Sequence, residues 1–205
     1  MLRNTGSRDV NTAQPKLPPL MTVAEFLDWD GDGHQGKLEL VNGEVVAMSP
    51  ASGTHALIQA NLAGLIWQHL RTTKRPCRVG TEAPVVPRFH SNKNVRAPDL
   101  AVTCAPATSD KVFPDPVLII EVLSPSNQRE TWESIWACAT IQSLAEVVVV
   151  DSERVHIQVF RKTTDGGWPK DAEIVEAGST LRIESIEAAR PIAEVYAGTH
   201  LDPVT

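Results

Sequence analysis

Asp99, in Arg-Ala-Pro-Asp-Leu-Ala-Val, and Glu121, in Pro-Val-Leu-Ile-Ile-Glu-Val-Leu-Ser-Pro, stand 22 positions apart. Each lies in or against a short apolar run that reads as a buried strand. A bare carboxylate in such a setting is costly, so each must be protonated, hydrogen-bonded, paired or bound to a metal. Two carboxylates on neighbouring strands, with a backbone carbonyl and water, suit a hard cation such as Mg2+ or Mn2+. Such an ion activates water and stabilises charge on a phosphate, which is phosphodiester hydrolysis in outline. The same residues allow a structural alternative, in which Glu121 is salt-bridged to Arg96 and the carboxylates are neutralised by Arg96 and Arg78. Other chemistries lack their residues. The chain has no GxxxxGK[ST], GxSxG or HExxH, its six histidines are scattered, and Gly31-Asp32-Gly33 lacks the remaining ligands of a calcium loop.

The elements that must position these acids follow from periodicity and capping. Thr22, with Glu25 three residues on, predicts a capping box opening a short helix. Lys37 to Val41, then Asn42-Gly43, then Glu44 to Met48 predicts a hairpin, because Asn-Gly supplies the positive φ angles of a type I′ turn. Thr54 to Leu70 predicts the longest helix, capped by Thr54, with Ile58, Leu62, Leu65, Ile66 and Leu70 at helical spacing. His55 and Gln59 lie one turn apart at its start, where backbone donors favour anions. Strands are expected near 77–87, 99–104 and 116–123.

A second main helix is expected after Ser124-Pro125-Ser126-Asn127, with Asn127 as its cap and Trp132, Ile135, Trp136 and Ala139 as a core stripe. Ala145 to Asp151 and Val155 to Phe160 then form a second hairpin. A short strand near Leu181 to Ile183 and a last helical turn at Ala193 to Tyr196 complete the chain. The layout is α/β, a mixed β-sheet flanked by helices with an N-terminal hairpin. Residues 1–20 read as a flexible lead-in, 21–198 as one domain and 199–205 as a C-terminal tail.

With 205 residues and 42% hydrophobic content, the chain can bury one full core. No apolar run approaches the roughly 20 residues of a membrane helix, so no membrane partner is expected. The N-terminus has no signal-like apolar stretch, and three dispersed cysteines (Cys77, Cys104, Cys138) read as reduced thiols in a cytoplasmic protein. Net charge is −6, against non-specific coating of nucleic acid. Yet residues 71–96 carry seven lysines and arginines, Arg96 among them, against Glu82 alone. Such a basic segment just before Asp99 could meet phosphates, or could be a solvated loop and strand edge.

Four motifs occur in order: Glu-Leu-Val-Asn-Gly-Glu-Val-Val-Ala-Met-Ser-Pro, a histidine at the next helix start, Arg-Ala-Pro-Asp-Leu-Ala-Val, and Leu-Ile-Ile-Glu-Val-Leu-Ser-Pro-Ser-Asn. In this register, from Met21 to Tyr196, the chain resembles the Uma-type family of putative restriction endonucleases, in the PD-(D/E)xK nuclease superfamily. The resemblance implies a restriction-endonuclease-like core, metal-dependent cleavage of DNA, and Mg2+ or Mn2+ as cofactor. Asp99 and Glu121 match metal ligands, and Val122 would add its backbone carbonyl. Glu39 matches an acidic residue of the first hairpin that reaches the same cleft. His55 and Gln59 match the polar start of the first long helix, where they would touch a phosphate. Cutting both strands with one site per chain calls for a homodimer.

One position departs from the pattern. The superfamily lysine, two residues after the glutamate, is Leu123 here. In the Uma-type family it looks displaced onto the next helix, in a pattern like Asp-x-x-x-Lys-x-x-x-Tyr. Those places hold Glu130, Ser134 and Cys138. Arg129 is one turn too early, and an arginine would not deprotonate water. Losing a charge that steadies a transition state typically costs about a hundredfold or more in rate. A weakened or inactive nuclease fold that binds nucleic acid or a protein partner is therefore the alternative to an active endonuclease.

Overall fold

The computed structural model describes residues 20–34 and 36–202, so the expected lead-in lies outside the described residues except for Leu20. The expected tail is described as far as Asp202. Helix α1 (Val23–Asp28) carries the capping box of Thr22 and Glu25. Strands β1 (Leu38–Val41) and β2 (Glu44–Ala47) pair antiparallel around Asn42 and Gly43, whose φ angles are 52° and 92°. Helix α2 (Gly53–Thr72) is capped two residues before the expected position, because Ser52, not Thr54, accepts the His55 N–H.

The central sheet has six strands in the order β3 (Arg78–Thr81), β4 (Leu100–Thr103), β5 (Pro116–Leu123), β6 (Glu146–Asp151), β7 (His156–Arg161) and β8 (Glu173–Glu176). Its neighbours pair antiparallel except β5 with β6. That parallel step needs a crossover, supplied by helix α3 (Gln128–Cys138). The sheet is therefore mixed, as expected, and β8 is an additional edge strand. A second hairpin, β9 (Thr180–Ile183) with β10 (Ala188–Pro191), and the short α4 (Ile192–Val195) close one end of the core. The residues 82–87 that were expected to extend β3 make only an isolated bridge, Val85 to Arg96.

Alternation along β5 explains how one strand serves two faces. Leu118, Ile120 and Val122 join Ile58, Leu62, Ile66 and Leu70 of α2 in one core. Ile119 and Leu123 face Ile135 and Cys138 of α3 in the other. The expected core stripe of α3 needs correction. Its inward residues are Thr131, Ser134, Ile135 and Cys138, whereas Trp136 is 44% exposed. Trp132 and Trp136 stack on each other and meet the buried Phe160 edge-on, Trp132 at the edge of that core. Small side chains thus face the acid-bearing end of β5, and the indoles cap the periphery.

The cysteine expectation is also corrected. Register pairs Arg78 with Thr103, so the preceding and following residues, Cys77 and Cys104, lie directly opposite and form a disulfide. Only Cys138 is a free cysteine among the described residues, and it is buried. Denatured without reductant, the protein should expose one titratable thiol, rising to three after reduction. Three thiols before reduction would show that the edge pair is not oxidised.

Candidate active site

The β4–β5 register pairs Leu100 with Ile120. One residue further along, Asp99 falls opposite Glu121, which closes the 22-residue gap in sequence. The Asp99 N–H donates to Glu121 Oε2 at 3.3 Å, and the Val122 N–H donates to Asp99 Oδ2 at 2.8 Å. The two carboxylates are only 4% and 5% exposed as residues.

The start of α2 is aimed at Asp99. His55 Nε2 lies 3.2 Å from Asp99 Oδ2, and its Nδ1 lies 3.3 Å from Ser124 Oγ. Gln59 donates through Nε2 to the Asp99 carbonyl at 3.0 Å. Both residues expected to touch a phosphate are thus turned onto the aspartate, one on its side chain and one on its backbone.

Glu39 arrives from the hairpin. Leu40 and Val95 exchange backbone hydrogen bonds, both 2.9 Å, which docks β1 against the segment leading to Asp99. Glu39 Oε1 accepts the Ala97 N–H at 3.0 Å, and Oε2 accepts Arg96 Nη1 at 3.0 Å. Arg96 is therefore paired with Glu39, not with Glu121 as the structural alternative required. Arg78 donates to the carbonyls of Ala105 and Pro106, away from the acids. That alternative is overturned.

Lys37 was not singled out by the sequence reading. Its Nζ is 3.5 Å from Asp99 Oδ1, with a side chain only 16% exposed. The signal was available: Lys37 and Glu39 are two apart at the start of a strand, so they share a face. What the sequence does not show is that this face meets Asp99.

The two central acids are treated differently. Burial works against ionisation of Asp99, but the His55 hydrogen bond, the charge of Lys37 and the Val122 N–H outweigh it and hold its carboxyl below the usual value. Burial first, then the negative charge of Asp99, push Glu121 well above the usual range. For Lys37, burial opposes the charged form, yet Glu121, Asp99, Glu39 and Glu82 together raise it above the ordinary lysine value. Cys138 is pushed well up by burial and then by Glu121.

Asp99, Lys37 and His55 line a cleft of about 330 Å3 shared with Ser49, Ser124 and Asn127. Beneath it, Glu39, Glu121, Val122, Thr131 and Ser134 join them around a cavity of about 20 Å3. That is room for a single water-sized occupant. Ser134 Oγ and Asn127 Oδ1, both on this wall, are buried without a hydrogen-bond partner among the described residues. Orphaned polar atoms beside an excess of carboxylate fit a hydrated hard cation. Among the described residues, however, no three His, Cys, Asp or Glu side chains converge as a ready-made metal cage. The donor set suits an ion held by one or two carboxylates and otherwise hydrated from the adjoining cleft, the habit of Mg2+. A larger groove of about 720 Å3, lined by Phe89, Trp132 and Trp136, holds none of the three acids.

Comparison with known proteins bears on the family and the fold. A family model described as "Uma2: Putative restriction endonuclease" matches residues 23–191. An uncharacterized protein of Synechocystis sp. is 28% identical over 188 residues, covering 90% of this chain and 96% of the relative. The crystal structure of a putative nuclease belonging to DUF820 from Anabaena variabilis superposes with a TM-score of 0.70. It covers 86% of this chain and 97% of that one at 19% identity, and so shows a shared fold.

The raised carboxyl of Glu121 has a consequence for metal-free stability. Between its unfolded and folded values the folded state keeps a proton that the unfolded chain has lost, so stability falls as pH rises through that interval. In EDTA, Glu121→Gln should melt at a higher temperature than the wild type at neutral pH. The gap should close as pH falls below the ordinary glutamate range. Equal melting temperatures at neutral pH would mean that Glu121 carries no burial penalty.

Proposed function

The chain belongs to the Uma2 family of putative restriction endonucleases, and from that membership we propose that it is a divalent-cation-dependent endonuclease acting on DNA. One observation carries the reading: Asp99 and Glu121 face each other across β4 and β5 over a small cavity, joined by the Asp99 N–H to Glu121 contact. Asp99, Glu121 and the Val122 carbonyl would hold Mg2+ or Mn2+. When bound, such an ion makes water a better nucleophile and neutralises developing charge on a phosphate.

The chain's own groups prepare that place. His55 and the Val122 N–H fix the Asp99 carboxylate, and Gln59 fixes its backbone. Arg96 and the Ala97 N–H hold Glu39 against the cavity wall, adding negative charge without leaving it mobile. Burial limits water, which strengthens every charge interaction inside. The open cleft above carries the hydroxyls of Ser49, Ser124 and Ser126. These can donate to phosphate oxygens without adding charge. A homodimer would present two such clefts to the two strands of a duplex.

Plasmid nicking with Mn2+ tests the reading. The wild type should nick supercoiled DNA, EDTA should stop it, and Glu121→Ala or Asp99→Asn should lower the rate by about a hundredfold or more. Equal rates in wild type and variants would mean a contaminating nuclease and end the proposal. Retained DNA binding without any Glu121-dependent cleavage would instead favour the non-cutting nuclease fold.

A further inference from the structure

The helix position where the resemblance calls for a lysine holds Ser134, and its hydroxyl has no partner among the described residues. The same cavity nevertheless contains an ammonium. Lys37 lines both the cleft and the cavity beneath it, and among the described lining residues it is the only lysine or arginine. It reaches the site from a different element, just before β1, with the Glu39 carboxylate two residues further on. We propose that Lys37 supplies the cationic charge of the cleavage site, its ammonium contacting the scissile phosphate in the role left open by Ser134.

Three observations carry this assignment. Lysine is among the residues least often buried, so an ammonium in a cleft floor needs a reason. The 3.5 Å separation from Asp99 Oδ1 is longer than a tight charge-assisted hydrogen bond, so Lys37 is held near the acid without being locked to it. Finally, Arg96 is committed to Glu39 and Arg129 is exposed on the outer side of α3, paired with Glu130. No other described lysine or arginine lines the place where a phosphate would meet Asp99. A fixed positive charge aimed at developing phosphate charge acts without reorganisation, and more strongly in a dry site than in water.

The inference rests on the nuclease reading, so its test must separate the two. Wild type, Lys37→Met and the double variant Lys37→Met/Ser134→Lys would be compared for plasmid nicking with Mn2+, for Mn2+ affinity by calorimetry, and for melting temperature. Lys37→Met should lose about a hundredfold or more in nicking. Its Mn2+ affinity should stay within a few-fold of wild type, and it should still melt in one cooperative transition well above the assay temperature. Returning the ammonium to α3 in the double variant should recover at least about tenfold of the lost rate, which a misfolded site could not do.

Nicking by Lys37→Met at the wild-type rate would overturn the assignment while leaving the nuclease reading intact. So would a loss of nicking accompanied by Mn2+ binding at least about tenfold weaker, because Lys37 would then only hold Asp99 in place. Binding of Mn2+ about tenfold tighter with undiminished nicking would identify Lys37 as a mere counter-ion. Absence of Glu121-dependent nicking in the wild type itself removes the nuclease reading, and this assignment with it.

Discussion

The burial of Asp99 directly opposite Glu121 is the constraint around which the rest of the site is arranged. Two carboxylates on adjacent antiparallel strands repel, and both are almost wholly removed from water. The fold answers with contributions from every neighbouring element. Helix α2 brings His55 and Gln59 to Asp99, and β5 offers the Val122 N–H. The N-terminal hairpin delivers Lys37 to the same aspartate and docks through the Leu40–Val95 bridge. With Trp132 at the edge of the core and Trp136 largely exposed, helix α3 turns inward Thr131, Ser134 and Cys138. These are the smaller side chains of that helix, and they leave the cavity open.

Compensation is uneven, and the unevenness is chemically informative. Asp99 is surrounded by donors and favours its charged form. Glu121 receives a single hydrogen bond among the described residues, from a backbone N–H at the long distance of 3.3 Å, and resists ionisation. Pairs of carboxylates whose environments push them apart are a mark of functional sites. A site kept purely for stability gains nothing from the arrangement, since apolar residues of similar volume often serve as well or better. What resolves the deficit at Glu121 is positive charge delivered into the cavity. A divalent ion does so without requiring a further side chain.

Much of this was legible in the sequence because it rests on local rules. The capping box of α1, the Asn-Gly hairpin, the apolar stripe of α2 and the β6–β7 hairpin each follow from a few adjacent residues. The acids at Asp99 and Glu121 stood out because they interrupt or abut β-branched runs. What escaped depends on register between segments distant in the chain. The bridge that docks β1 is isolated, with no longer ladder to announce it, so neither the Glu39–Arg96 pair nor the approach of Lys37 to Asp99 could be read. The Cys77–Cys104 pairing likewise needed the β3–β4 register. In α3, helical spacing correctly turned Ile135 inward and set Trp132 against the core, but could not say that Thr131, Ser134 and Cys138, rather than Trp136, complete the inward face. The missed strands β8 and β10 lie in mixed sequence at a sheet edge and in a short hairpin, where tertiary pairing outweighs local preference.

An ammonium supplied by Lys37 is one way a site of this kind would change residues and keep its electrostatics. With Glu39 paired to Arg96, Asp99 to Lys37, and Glu121 resisting ionisation, the metal-free site is close to neutral, and a divalent cation would bind by letting Glu121 ionise. Carrying the ammonium just before β1 rather than on α3 preserves that balance. What changes is the element that carries it: Ser134 lines the cavity from α3, whereas Lys37 lines it from the segment that opens the N-terminal hairpin. The hairpin is then more than a lid on the fold. Its docking at Leu40 and Val95, over a small satellite core of Leu40, Val45 and Val95, accompanies the approach of Lys37 to within 3.5 Å of Asp99.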